Sequence, residues 1–222
     1  MKKILLLLFV TMVSAVAFSQ LSIGLQGTGS VTDASIKTAA DLNYKKKMKA
    51  MPGGGIVLQY GVSKHFAIRS GVNYAQQGVN ITTTLDDASK MQVKLESKLH
   101  YVQVPLNFLY TVPLSRIQFY AGGGGYINYG VDGNITATLT HTMPDGQQTS
   151  TVEKSDAFKT EEDGGSGFKK TDWGVGALAG VRFGKVFVNA GYQLSLSDID
   201  GGQENGEYKN RSLQITIGYF FR

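Results

Sequence analysis

The sequence predicts an all-β chain: an eight-stranded antiparallel up-and-down transmembrane β-barrel with short turns at one end and long loops at the other. Three observations predict it. Eight segments alternate apolar with small or polar residues, those segments carry almost no charge, and the connections between them alternate in length. Strand side chains point to opposite faces with period two, so uncharged alternation describes a wall whose apolar face meets lipid.

The first element is not part of the barrel. Met1-Lys2-Lys3 supplies a positive start, Ile4 to Val16 an apolar core, and Ala17-Phe18-Ser19 a small-x-small cleavage site, so residues 1–19 read as a secretory signal peptide. The apolar run is shorter than the roughly 20 residues a spanning helix needs. The barrel domain then covers residues 20–222, and removing Lys2 and Lys3 lowers the net charge from +5 to +3. So small an excess gives no reason to expect a nucleic-acid partner. Cysteine is absent, which excludes disulfides, thiolate catalysis and Cys-ligated metal.

The strands are expected at 21–27, 53–62, 66–79, 99–112, 117–130, 172–183, 186–197 and 211–221. In the third, Phe66, Ile68, Val72 and Tyr74 oppose Ala67, Arg69, Gly71 and Asn73. In the fourth, Val102, Val104, Leu106, Phe108 and Tyr110 oppose Tyr101, Gln103, Pro105 and Asn107. Trp173, Val175, Ala177, Ala179, Val181 and Phe183 share one face of the sixth; Val186, Val188, Tyr192, Leu194 and Leu196 mark the seventh. The last puts Leu213, Ile215, Ile217, Tyr219 and Phe221 on one face. Only Arg69, Asp172, Arg182 and Arg211 are charged in all eight segments, whereas a soluble barrel of the same strand count needs polar residues outward. Aromatic residues, among them Tyr60, Phe66, Tyr110, Tyr129, Trp173 and Tyr219, fall near strand ends, where interfacial girdles form.

Ser63-Lys64-His65, Pro113 to Arg116 and Gly184-Lys185 are short turns, whereas residues 28–52, 80–98, 131–171 and 198–210 are expected as long polar loops. Short turns on the periplasmic side and long loops outside are the layout of an outer-membrane barrel. Within the third loop, Pro144-Asp145-Gly146 separates two β-prone runs, so strands five and six are expected to continue above the membrane as a protruding hairpin.

Four stretches resemble the small bacterial outer-membrane barrels of the PorT-like, porin-family β-barrel domain: Leu99-His-Tyr-Val-Gln-Val-Pro-Leu-Asn-Phe-Leu-Tyr110, Phe119 to Tyr126, Asp172 to Arg182, and the closing Ile217 to Phe221. The resemblance covers the chain after the signal and implies an eight-stranded barrel in the outer membrane, with no agreed catalytic motif. It places Pro105 inside a strand, where a bulge is expected to accommodate it.

The interior of an eight-stranded barrel is filled by its own side chains. Arg69 and Arg182 point inward by phase at the short-turn end, so bracing of the interior is their expected role, with backbone carbonyls, Gln118, Asn189, Tyr101 or the C-terminal carboxylate as partners. Lys45, Lys46, Lys47 and Lys49 form a basic run suited to lipopolysaccharide phosphates, set against the simpler reading of a solvated loop. Besides outer-membrane lipid, a protein partner is expected through residues 131–171, on an otherwise monomeric chain. No cofactor or metal site is expected, since His65, His100 and His141 are scattered. The function expected is a non-enzymatic scaffold with surface recognition loops. The alternatives are a lipid-modifying barrel enzyme, for which only a forced grouping of His141, Ser150 and Asp145 is at hand, and a narrow pore.

Overall fold

A computed structural model of the chain describes residues 20–37, 44–86, 91–143, 147–160, 162–200 and 207–221. Residues 1–19, expected as a signal peptide, lie outside the described residues. Ten strands follow in order: β1 (Leu21–Lys37), β2 (Tyr44–Gly61), β3 (Phe66–Gln77), β4 (Val79–Asp86), β5 (Met91–Leu114), β6 (Ile117–Thr142), β7 (Gln148–Asp156), β8 (Thr171–Phe183), β9 (Val186–Ser195) and β10 (Glu207–Phe220).

Eight of them close a ring. The antiparallel ladder runs β1–β2–β3–β5–β6–β8–β9–β10 and returns to β1 through Gly24↔Phe220 to Lys37↔Glu207. Closure pairs every wall strand on both sides, which a lipid-exposed backbone requires. The outward face is apolar: Ile56, Val72, Leu106, Phe108, Ile127, Val175 and Ile215 are all exposed, Ile215 by 64%. In water such a continuous surface would be an aggregation liability, whereas in a bilayer it is the solvated face.

β4 and β7 are not wall strands. β4 continues β3 beyond Gly78 and pairs with β2 and β5, while β7 pairs with β6 from Asn134↔Asp156 to Thr142↔Gln148. β5 runs for 24 residues and β6 for 26. At about 3.3 Å per residue each is roughly 80 Å long, and about 9–11 residues suffice to cross a bilayer. Their upper halves therefore form, with β2, β4 and β7, a sheet that projects on the extracellular side.

This corrects the expected loop boundaries. Most of 28–52 and 80–98 is strand, because runs such as Val93-Lys-Leu-Glu96 alternate as strands do even though their charge suggests a loop. The hairpin forms, but its return strand β7 is separate from the sixth wall strand: residues 157–170 lead from β7 to β8, which enters the wall at Thr171. The Pro144-Asp145-Gly146 turn itself lies outside the described residues. No bulge surrounds Pro105, which stands in register opposite Tyr126; the β3–β5 ladder lapses there instead, and the Ser70 hydroxyl donates to the Pro105 carbonyl at 2.8 Å. The β5–β6 register shifts between His100 and Tyr101, which stand opposite Asp132 and Gly130 and leave Val131 of β6 unmatched.

The glycine run in β6 has a steric cause. A Cβ at Gly122 or Gly124 would lie 1.9 Å from the Phe108 carbonyl oxygen or 1.8 Å from that of Leu106, so β5 and β6 approach too closely for any other residue.

Candidate functional site

The barrel interior is layered. At the periplasmic end Val57, Ala67, Leu109, Tyr120, Phe187 and Phe220 form a buried apolar cluster. Each comes from a different wall strand, at an inward-facing position of its alternation. Arg69 is set into this cluster, 5% exposed, with its guanidinium 4.4 Å from the Tyr120 ring centroid and 4.8 Å from that of Phe187. Its Nε and Nη2 both donate to Gln59 Oε1, at 3.0 and 2.7 Å. Arg182, half-buried nearer the periplasmic turns, donates from Nε to the Gly184 carbonyl at 2.7 Å and lies 4.7 Å from the Phe220 ring centroid.

Of the partners considered for these arginines, a backbone carbonyl is used by Arg182. Gln59 and the aromatic faces were not foreseen, and Tyr101 packs at the opposite end of the barrel.

Above this cluster the interior turns polar. Gln214 Nε2 donates to Gln193 Oε1 at 2.9 Å, and Gln103 Nε2 donates to Gln193 Oε1 at 3.1 Å and Asn128 Oδ1 at 3.0 Å. Because Gln103 stands on β5 and Gln193 on β9, this chain of amides bridges the lumen. It ends on Asp172, a fully buried carboxylate. Asn128 and Asn210 donate to its Oδ2 at 3.1 and 3.3 Å, Ser197 donates to Oδ1 at 2.7 Å, and Ser195 donates to the same oxygen. All four donors are neutral, and together they replace the hydration that burial removes. A cavity of about 70 Å³ remains beside this layer, lined by Gln26, Asn73, Gln103, Asn189, Gln193 and Gln214.

The extracellular mouth is covered by a second apolar cluster. Ala34, Val79, Leu99 and Tyr101 from the wall and β4 meet Ala157, Ile199 and Tyr208, with Phe158 and Phe168 packed against them. Residues 157–160, 162–170 and 196–200 supply the lid: Ala157 N–H donates to the Gly133 carbonyl at 3.0 Å, and Lys169 N–H to that of Ile199 at 2.9 Å. Burial pushes the Tyr208 hydroxyl pKa up to about 12, opposed by its hydrogen bond with Ser97 at 2.9 Å. Asp33 and Asp172 act in the same direction as burial.

The Lys45–Lys49 run is not in a loop. It lies in β2, where Lys45, Lys46 and Lys47 stand opposite Thr82, Ile81 and Asn80 of β4, and Lys49 opposite Thr32 of β1. Lys47 is exposed and Lys49 half-buried. The grouping of His141 with Ser150 and Asp145 does not assemble: Ser150 pairs with Thr140, whose hydroxyl is 3.1 Å away, so His141 projects from the other face of the hairpin. Asp145 lies outside the described residues. No group of three or more His, Cys, Asp or Glu side chains suited to a metal occurs among the described residues.

Asp172 and the amide chain escaped the sequence reading as a site, although their signal was present: Gln59, Asn73, Gln103, Asn128, Asn189 and Gln193 all occupy inward phase. The mouth cluster had no comparable signal, because Phe158 and Phe168 lie in an irregular polar stretch.

The outer-membrane barrel is also what comparison with known proteins gives. Residues 16–201 match the family model described as outer membrane protein beta-barrel domain. No curated protein matches the chain. Among solved structures, the outer membrane protein OprG from Pseudomonas aeruginosa is similar over 91% of this chain and 96% of its own, at 15% identity and TM-score 0.51. Ail, the attachment invasion locus protein of Yersinia pestis, covers 90% of this chain and 97% of its own at 13% identity and TM-score 0.36. The likeness to OprG is one of fold alone. With the family model matching most of its length, the chain belongs to the outer membrane protein β-barrel domain family.

Proposed function

We propose that the protein is a non-enzymatic outer-membrane scaffold that presents the β5–β6–β7 sheet for recognition of a protein partner at the cell surface. The observation that carries this reading is β7: it pairs with β6 on one side, and its side chains from Gln148 to Lys154 are all exposed. Its Asp156 end is covered by Gly165 and Ser166, while no strand pairs beyond Gln148–Lys154 among the described residues. An exposed edge of unpaired N–H and C=O groups accepts an added strand. In this reading lipopolysaccharide phosphates are met by Lys47, and its exposure on the same projecting sheet supports that role.

The layered interior supports a scaffold over a pore, since apolar clusters fill both ends and the cavity between them holds about two or three waters. Arg69 and Arg182 brace the periplasmic cluster in this reading. The dispersal of His65, His100 and His141 to a periplasmic turn, the wall and the hairpin supports a role without catalysis.

The test is deletion of residues 136–152, with the heat-modifiable gel shift confirming the barrel. Photo-crosslinkers placed at Thr149 and Thr151 on whole cells are expected to capture a surface protein, and the deletion to abolish retention of that protein. Retention by the deletion variant sinks the proposal. Bilayer conductance or altered lipid A in a deletion strain would favour the pore or the enzyme.

A further inference from the structure

Acidic residues are absent from one end of this barrel. Of the 17 Asp and Glu, none occurs in residues 53–72, 104–126, 174–193 or 213–222, which contain the periplasmic turns and the lower wall. The same segments carry Lys64, Arg69, Arg116, Arg182, Lys185 and Arg222. Both ion pairs formed between described residues, Lys94–Glu96 and Lys159–Asp156, are on the extracellular side. Six cations in segments that hold no Asp or Glu are not a mixed solvated surface.

Three of these cations, Lys64, Arg116 and Lys185, are exposed, one on each periplasmic turn. The turns are held rather than loose. The Ser63 hydroxyl accepts the N–H groups of His65 and Phe66 at 3.2 and 3.1 Å. Thr111 then ties this turn to β5, donating from N–H to the His65 carbonyl at 2.8 Å and from its hydroxyl to the Lys64 carbonyl at 3.0 Å. In the third turn the Lys185 carbonyl accepts from Phe220 N–H, and Lys185 Nζ donates to the Phe221 carbonyl, both at 2.8 Å.

The surroundings fix their depth. Val62, Phe66, Leu114, Ile117, Phe183 and Val186 are exposed on or beside the same turns, Phe183 by 60% and Phe66 by 56%. Turns with so many bare apolar side chains do not stand in aqueous periplasm; they sit in the interfacial zone, where aromatic residues gather and Lys and Arg reach headgroups.

We infer that Lys64, Arg116 and Lys185 form a ring that binds the phosphate groups of anionic phospholipid in the periplasmic leaflet. A cation held at headgroup depth in segments without Asp or Glu gains from each anionic phosphate nearby, and the half-buried Arg182 adds its charge behind the ring. The ring also sets orientation: the cationic end is anchored in phospholipid, and the projecting strands, which carry Glu96, Asp132 and Glu153, point outward.

The full-length protein, purified in detergent and mixed with equal amounts of phosphatidylglycerol and phosphatidylethanolamine, tests this by native mass spectrometry of the retained lipids. Phosphatidylglycerol is expected to be enriched. Lys64→Gln/Arg116→Gln/Lys185→Gln is expected to lower the enrichment by up to about fivefold per cation removed. The extracellular control Lys98→Gln/Lys169→Gln/Lys170→Gln is expected to leave it unchanged. No enrichment in the parent protein, full enrichment in the turn variant, or equal loss in the control overturns the inference. A turn variant that keeps its lipid preference but loses an acidic periplasmic protein on co-purification overturns it in favour of a protein partner. The three single turn variants carry the same comparison if the triple variant fails the heat-modifiable gel shift.

Discussion

Arg69 and Gln59 form a charged pair without an acid: Nε and Nη2 of the arginine converge on one amide oxygen, at 3.0 and 2.7 Å, inside a cage of Tyr120, Phe187 and Phe220. The rings present their negative faces to the guanidinium, and the amide oxygen satisfies two of its donors. Removing one partner is worse than removing both, because a lone buried guanidinium keeps its desolvation cost. Gln59→Leu is therefore expected to destabilise by about 2–3 kcal/mol, and the Gln59→Leu/Arg69→Met pair by less than the single change. The unfolding temperature of the heat-modifiable band measures both. A double variant weaker than Gln59→Leu contradicts the pairing.

Gly218 makes room for the same cluster. A Cβ there would lie 2.2 Å from Cζ of Phe187, whose ring packs on Phe220 at a centroid distance of 4.9 Å. Gly218→Val is expected to destabilise by about 1–3 kcal/mol through overpacking. Adding Phe187→Leu should restore part of that loss, since it shortens the obstructing side chain. Denaturant unfolding of the reconstituted barrel gives the numbers, and additive losses would show that the clash is not the cause.

Asp172 gives a graded expectation. Its two oxygens accept from Asn128, Asn210, Ser195 and Ser197, so replacement by Ala strands four buried donors. Asp172→Ala is expected to cost about 3 kcal/mol or more, and Asp172→Asn about 1–2 kcal/mol, because the serine hydroxyls can rotate to accept an amide while the two asparagine donors keep an oxygen. Gel-shift temperatures should rank parent, Asn, Ala in falling order; an Asn variant as weak as Ala would mean that the charge itself holds the network.

The wall was legible in the sequence because lipid imposes one rule on every outward position, and Leu213, Ile215 and Ile217 obey it without interruption. The projecting sheet was not, since water imposes no such rule: Val93-Lys-Leu-Glu96 and Thr136 to Thr140 alternate weakly, and their strand character comes from pairing across β4 to β7. Arg69 was legible as an inward cation because phase alone fixes its direction. Its partner was not, because the ladder sets Gln59 opposite Arg69 and a sequence does not state its register.

Tyr208 makes the closed mouth sensitive to alkali. Its hydroxyl belongs to the buried cluster over the barrel opening, and burial raises its pKa from 10.0 to about 12. The folded state thus holds this proton more tightly than the unfolded chain does. The stabilisation is complete below pH 10 and falls as pH rises through about 12, because the unfolded tyrosine ionises first. A shift of that size is at most about 2–3 kcal/mol. Tyr208→Phe removes the ionisable group along with the Ser97 hydrogen bond, so it should lower stability modestly at pH 8 and flatten the decline between pH 10 and 12. The quantity to measure is the difference between parent and variant unfolding midpoints across that range. A difference that stays constant with pH would show that Tyr208 ionises alike in the folded and unfolded chains.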